Sequence, residues 1–283
     1  MALLPLRALE DRPVTTAARD WLAQLGAQLK DTTTNRNRLC RETLAQLWYP
    51  QYAANWETAV NDAHVPVATR LALAAMDPCN VTLEPEYYAD CDQERFQRVK
   101  PLLWLWYSFD RTAAGGQNVW LGVELRRLLA RHIFRRCGEN FKAFHNVEFS
   151  FGYNMEVGDN VVVHRNVLLD DRGGIVLGNN VSISDYANIY SHTHSIVEQK
   201  DVTNAVTRID DGVRITYHAT VLAGVHVNEQ GMVGAMAVAT KDVRPYHVYV
   251  GIPAKSVRVK PNAPTTGTGT VLRTSHERGG SAG

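Results

Sequence analysis

Very little in the composition of these 283 residues singles out a function. The formal net charge is only +1, from 30 Lys and Arg against 29 Asp and Glu, so no global field draws the chain to nucleic acid or another polyanion. No apolar run approaches the ~18 residues of a membrane-spanning helix. The most lipophilic stretch, Pro101–Tyr107, is far too short. The opening Met1–Glu10 lacks a basic start, a sustained apolar centre and a clear cleavage site, which argues against a signal peptide and for a cytoplasmic protein. Four cysteines, Cys40, Cys79, Cys91 and Cys137, form no CxxC pair. Reduced thiols are expected, with neither a disulfide framework nor a paired-cysteine metal site.

What is present falls into three unlike parts. Residues 1–137 read as a helical region: Leu22, Leu25 and Leu29 recur at helical spacing, and Leu39, Leu44 and Leu47 continue it. The clearest helix spans Val123–Arg136, with Leu125, Leu128, Leu129, His132 and Ile133 on one stripe. Arg126, Arg127, Arg131 and Arg135 are expected mostly off that stripe, and Cys137–Gly138 supplies a stop. Residues 138–260 are β-branched and lose the helical period. The tail, 261–283, is rich in Gly, Thr and Ser, has little to bury, and is expected to be disordered.

A period of six is the strongest signal in the chain. Val157, Val163 and Leu169 lie six apart, as do Leu177, Ile183 and Ile189. A third run takes Ile209, Ile215, Val221, Val227, Val233 and Ala239. With 45% hydrophobic residues, such a set arises by chance roughly once in ten thousand placements at fixed phase. A second register four residues later is also small or apolar: Val161, Val167, Val181, Ala187, Val213, Ala219, Val225, Gly231, Ala237 and Val243. Each hexapeptide would point one aliphatic residue inward and then turn, three would close a triangular coil, and stacked coils would bury a continuous column. Gly158–Asn160 and Gly178–Asn180 supply turn residues that tolerate positive φ. A β-sandwich fits poorly, because its strands alternate by two and its turns are irregularly spaced.

Val157–Val161, Leu177–Ser184, Val233–Val243 and Gly251–Lys255 together resemble the left-handed β-helix acyltransferases, most of all the maltose, galactoside and xenobiotic O-acetyltransferases. The resemblance covers roughly residues 145–260. It implies a mainly β fold, a left-handed parallel β-helix of hexapeptide repeats behind an N-terminal α-helical region. It also implies a homotrimer and acetyl-CoA, or another acyl-CoA, as a co-substrate with no permanently bound cofactor.

Two breaks in the period then gain meaning. Asp170–Gly174 adds two residues, and Tyr190–Val197 opens a long excursion before Ile209. Insertions in a repeat array map to loops, which carry function. In the resembled family a loop like the second holds the catalytic histidine, and His194 matches it, with His192 two residues before. A neutral imidazole accepts a hydroxyl proton at pH 7, which acyl transfer to an alcohol requires. Asp171 matches a family aspartate that holds the acceptor sugar; it also reads as a turn-forming residue beside Gly173 and Gly174. Asp170 and His192 are further acceptor-side candidates. Ala235 and Thr240 match positions along the pantetheine arm, and Lys241, Lys255 and Arg258 match basic positions near the coenzyme A phosphates and adenine. Tyr217 stands where the family has a small residue after Ile-Gly, and it would narrow the pantetheine tunnel or stack on the cofactor. With every cysteine upstream of the repeat, direct transfer without an acyl-enzyme is expected.

Two other functions use such a fold. A γ-type carbonic anhydrase would need three histidine ligands; His164, His192 and His194 are the candidates, but two ligands at i and i+2 do not look like that spacing, and no metal is expected. A non-catalytic docking module would keep the hexads without needing His194 or Lys241. The basic helix 125–136 is expected to cap the first coil, with an anionic membrane surface as the alternative. The acceptor stays open among sugars, glycan precursors and similar alcohols.

Overall fold

Hexapeptide strands of two or three residues stack into three parallel sheets in a computed structural model of the chain, which describes residues 14–198 and 200–264. Met1–Glu10 and most of the tail expected from 261 onward lie outside the described residues. The chain divides into two units.

The first runs through Ile133 and takes in Lys142–Asn146. It contains helices α1 (Thr16–Lys30), α2 (Arg36–Trp48), α3 (Trp56–Asn61), α4 (Val67–Met76), α5 (Gln93–Phe109) and α6 (Val119–Ile133). Side chains of Thr15, Asn35 and Asp92 accept from the first free N–H groups of α1, α2 and α5, which fixes where each helix starts. Leu44, Leu73, Phe96, Leu105, Trp106, Phe109, Leu125 and Leu129 form the core. The stripe expected on α6 is present, but the helix stops at Ile133, three residues earlier than the sequence suggests. Arg126 is also not off the stripe: it is 1% exposed, paired with Asp110, and donates from Nη1 to the Ala143 carbonyl at 3.2 Å. The other Asp110 oxygen accepts from Asn146 N at 2.7 Å. A buried guanidinium tolerates this place because a carboxylate and a carbonyl replace its water.

The second unit is a parallel β-solenoid of about six turns. One face stacks Arg136–Cys137, Met155–Val157, Ile175–Leu177, Thr207–Ile209 and His226–Val227. A second stacks Val162–Val163, Ser182–Ile183, Arg214–Ile215, Met232–Val233 and His247–Val250, closed by the antiparallel strand Lys255–Val259. The third stacks Glu148–Phe149, Leu168–Asp170, Asn188–Tyr190, Thr220–Val221 and Val238–Ala239. All the inward positions of the period, from Val157 to Ala239, are at most 1% exposed, and those of the second register, from Val161 to Val243, are buried as well. Each valine, leucine or isoleucine among them contributes about 1.5–3 kcal/mol of burial, so the column holds the coils together. The corners need left-handed backbone: Asn160 and Asn180 both sit at φ 57°. Gly158 is required by closeness, since a Cβ there would lie 2.6 Å from the Gly178 carbonyl of the next coil.

Candidate active site

The third face ends at one corner of the prism, and both breaks in the period are there. Leu168–Asp170 runs into the corner loop 171–174, and Asn188–Tyr190, one row on, runs into the excursion. The two adjacent carboxylates go different ways. Asp171 is fully buried; Oδ1 accepts from Phe151 N at 2.7 Å and Gly152 N at 2.9 Å, and Oδ2 from Asn154 N at 3.0 Å. Loss of water pushes this carboxyl up to about 6, against the three N–H bonds that pull it down, and the neighbouring charge of Asp170 adds to the rise. Asp171 was expected on an acceptor hydroxyl; here its oxygens are spent on the preceding coil's loop, because the corner folds it inward. The turn reading is the one its surroundings favour.

Asp170 instead faces the excursion. Oδ1 accepts from Ser150 Oγ at 2.6 Å, while Oδ2 accepts from Ser191 N at 3.4 Å and contacts His192 Nδ1. The excursion is an antiparallel hairpin, His192–His194 against Val202–Asn204, with His192 opposite Asn204 and His194 opposite Val202. Residues two apart in a strand share a face, so both imidazoles lie on the same side. Their rings meet edge to face, with centroids 5.2 Å apart. The His192 side chain keeps 18% of its exposure, while His194 is exposed. Beyond them, Ile196 and Val197 at the tip are uncovered.

The base of the hairpin is fastened to the corner by residues of which the sequence singled out only Gly173. Ala205 N donates to the Ser191 carbonyl at 2.8 Å, Gly173 N to Ser191 Oγ at 2.9 Å, and Thr207 Oγ1 to the Tyr190 carbonyl at 2.6 Å. A Cβ on Gly173 would lie 2.2 Å from the Ser191 carbonyl and 2.6 Å from Ala205 N, so only glycine lets the loop pass beneath the hairpin. The Gly173–Gly174 pair was the one available signal; Ser191 carries none.

Thr240 and Lys241 share that corner. Ile189 pairs with Val221, and Val221 with Ala239, so Thr240 leaves the same face two rows beyond the hairpin, about 10 Å along the stack. Both are exposed. Tyr217 and Ala235 occupy a different corner, joined by Met236 N donating to the Tyr217 carbonyl at 3.0 Å. Tyr217 is 49% exposed and meets His218 edge to face at 4.2 Å, with Tyr186 at 5.9 Å. Lys255 and Arg258 are exposed on the closing strand, opposite Val250 and Val248. The coenzyme A candidates are thus spread over two corners and the end of the prism, and only Thr240–Lys241 share a line with the imidazoles. His164 pairs loosely with Asp185, apart from the two hairpin histidines, and among the described residues no three His, Cys, Asp or Glu side chains are grouped to hold a metal ion. No described helix is long and apolar enough to cross a membrane.

The structure thus brings together a six-residue period, a corner hairpin bearing two imidazoles, and one exposed cation, Lys241, on the same corner line. No protein-family model matches the sequence. The galactoside O-acetyltransferase of Escherichia coli (strain K12) is 28% identical over 140 residues, 48% of this chain and 69% of that protein. A Staphylococcus aureus (strain MRSA252) protein named "Putative acetyltransferase" is 31% identical over 137 residues, 47% of this chain and 69% of its own. The crystal structure of a hexapeptide-repeat acetyltransferase from Vibrio cholerae O1 biovar eltor, complexed with acetyl coenzyme A, superposes with a TM-score of 0.53 at 21% identity, covering 64% of this chain and 97% of that one. The chain belongs to the acetyltransferase family of these relatives, and its second unit has the hexapeptide-repeat fold.

Proposed function

We propose that the chain is an acetyl-CoA-dependent O-acetyltransferase of the maltose, galactoside and xenobiotic type, acting on a hydroxyl of a sugar or glycan precursor. The observation that carries this reading is the hairpin that sets His192 and His194 on the corner line shared with Thr240 and Lys241. His194 is the general base. Its neutral imidazole takes the acceptor hydroxyl's proton as the oxygen attacks the thioester carbonyl. The tetrahedral intermediate then collapses, the C–S bond breaks, and the proton passes to the departing coenzyme A thiolate. No cysteine enters: Cys40 and Cys91 are buried in the helical unit, Cys79 is exposed there, and Cys137 sits on the first strand of the solenoid. Lys241, Lys255 and Arg258 take the phosphate and adenine end, Ala235 and Thr240 present backbone to the pantetheine arm, and Tyr217 borders it.

His194 stands exposed on a single chain, and a base works best where water is excluded. A neighbouring copy in a closed three-fold ring would cover it. Light scattering should return about 95 kDa for such a trimer, and a particle of 31.6 kDa at micromolar concentration would refute it. The function itself is tested by following free thiol release from acetyl-CoA across a panel of sugar and alcohol acceptors. Acceptor-dependent release supports the reading. Coenzyme A binding without transfer to any acceptor would favour a docking module instead.

A further inference from the structure

The proposed chemistry uses one imidazole, yet it is the other one that the fold holds by a buried carboxylate. Asp170 is 2% exposed, and its Oδ1 is already committed to Ser150 Oγ at 2.6 Å. Its Oδ2 takes the Ser191 N–H and faces His192 Nδ1. An ionised carboxylate only accepts, so the nitrogen against it must carry a proton. In the neutral ring this leaves the lone pair on Nε2. The backbone that carries the ring is held in place: Ser191, its neighbour, is 0% exposed and fastened by Oγ to the Asp170 carbonyl and to Gly173 N. His192 retains 18% side-chain exposure and touches His194 edge to face. With Nδ1 held against Asp170, Nε2 is the ring nitrogen left to meet a ligand.

We propose that Asp170 locks His192 as the Nδ1–H tautomer, so that Nε2 accepts a hydrogen bond from a second hydroxyl of the acceptor while His194 deprotonates the first. The substrate class is therefore a polyol, such as a pyranoside, with a hydroxyl neighbouring the one that is acetylated. This rests on the acetyltransferase reading. His192 is a positioning and specificity residue, and Asp170 acts through it. Once the bound substrate excludes water, an acceptor aimed at one of its hydroxyls discriminates against the analogue that lacks it, because the site is then left unpaired.

Two measurements test this, and the first needs no substrate. In protein labelled with 15N-histidine, the His192 signals, identified by their loss in His192→Gln, should show a protonated Nδ1 and an unprotonated Nε2 at neutral pH. Asp170→Ala should move them toward Nε2–H, the form that free imidazole prefers. A wild-type His192 carrying its proton on Nε2 would overturn the proposal. The second compares thiol release with methyl β-galactopyranoside and its monodeoxy analogues. Wild type should lose about tenfold or more in kcat/KM for the analogue lacking the contacted hydroxyl. His192→Ala should lose that preference, to within about twofold, and His192→Gln, whose Oε1 also accepts, should restore part of it. Preference unchanged in His192→Ala, or turnover lost equally on every acceptor, would also overturn it. Absence of transfer by wild type to any pyranoside would count against the acetyltransferase reading, and the tautomer measurement would still decide the Asp170–His192 assignment.

Discussion

Replacing Asp171 with alanine separates a structural carboxylate from an acceptor-binding one. In the folded chain its two oxygens accept from Phe151 N, Gly152 N and Asn154 N at 2.7, 2.9 and 3.0 Å, with no exposure to water. Each buried donor left unmet costs about 1–3 kcal/mol, and partial relaxation or an entering water makes the three less than additive, so a loss of about 3–5 kcal/mol is expected. For a unit of this size that corresponds to roughly 6–20 °C in melting temperature. Asp171→Asn should cost less, about 1–3 kcal/mol, because one oxygen still serves two N–H groups while the amide nitrogen opposes the third. The pH dependence has a definite sign. Burial holds the folded carboxyl at about 6, above its ordinary value of 3.8. Its contribution is therefore full below 3.8 and is lost as pH rises through 6. Thermal melts of the wild type should show that loss, and melts of Asp171→Asn should lack it. The assay is melting by circular dichroism from pH 4 to 7, with thiol release measured alongside. A change below about 2 °C in Asp171→Ala, paired with abolished turnover, would refute the reasoning and return Asp171 to the acceptor.

Gly173→Ala must displace the hairpin, since the new Cβ would stand 2.2 Å from the Ser191 carbonyl. Turnover should fall by about tenfold or more while coenzyme A affinity, measured by calorimetry, holds. Lys241→Ala and Lys255→Ala should each raise the KM for acetyl-CoA several-fold, roughly 3- to 10-fold, with kcat little changed, because contacts to remote phosphates differ little between ground and transition states. An unchanged KM with turnover down a hundredfold would refute those assignments.

The solenoid was legible because its inward positions obey a strict period, and every one from Val157 to Ala239 is buried as the spacing requires. The corners at Asn160 and Asn180 were legible because asparagine tolerates positive φ better than most residues, whereas Tyr186, His218, Gln230, Met236 and Tyr246 take the same conformation without such a signal. The hairpin could be found as a break in the period, but its fastening could not. Asp170 and His192 are 22 residues apart, and only the coil stacking brings them together. Asp170 and Asp171 look alike in sequence; which one turns inward depends on how the 151–154 loop closes over the corner. Arg126 was misjudged because arginine favours water, and the carboxylate that replaces that water, Asp110, lies 16 residues earlier, beyond the helix's own period.

The measurement closest to the centre of this account is the turnover of His194→Ala on an acceptor that the wild type acetylates. His194 lies on the hairpin that leaves the coil beside Asp170, on the corner line that leads to Thr240 and Lys241. A general base contributes about 10²–10⁴-fold, so turnover should fall by that much while assembly and acetyl-CoA affinity stay as in wild type. Retention of more than about a third of wild-type turnover would contradict the account, because a general base typically contributes about a hundredfold or more.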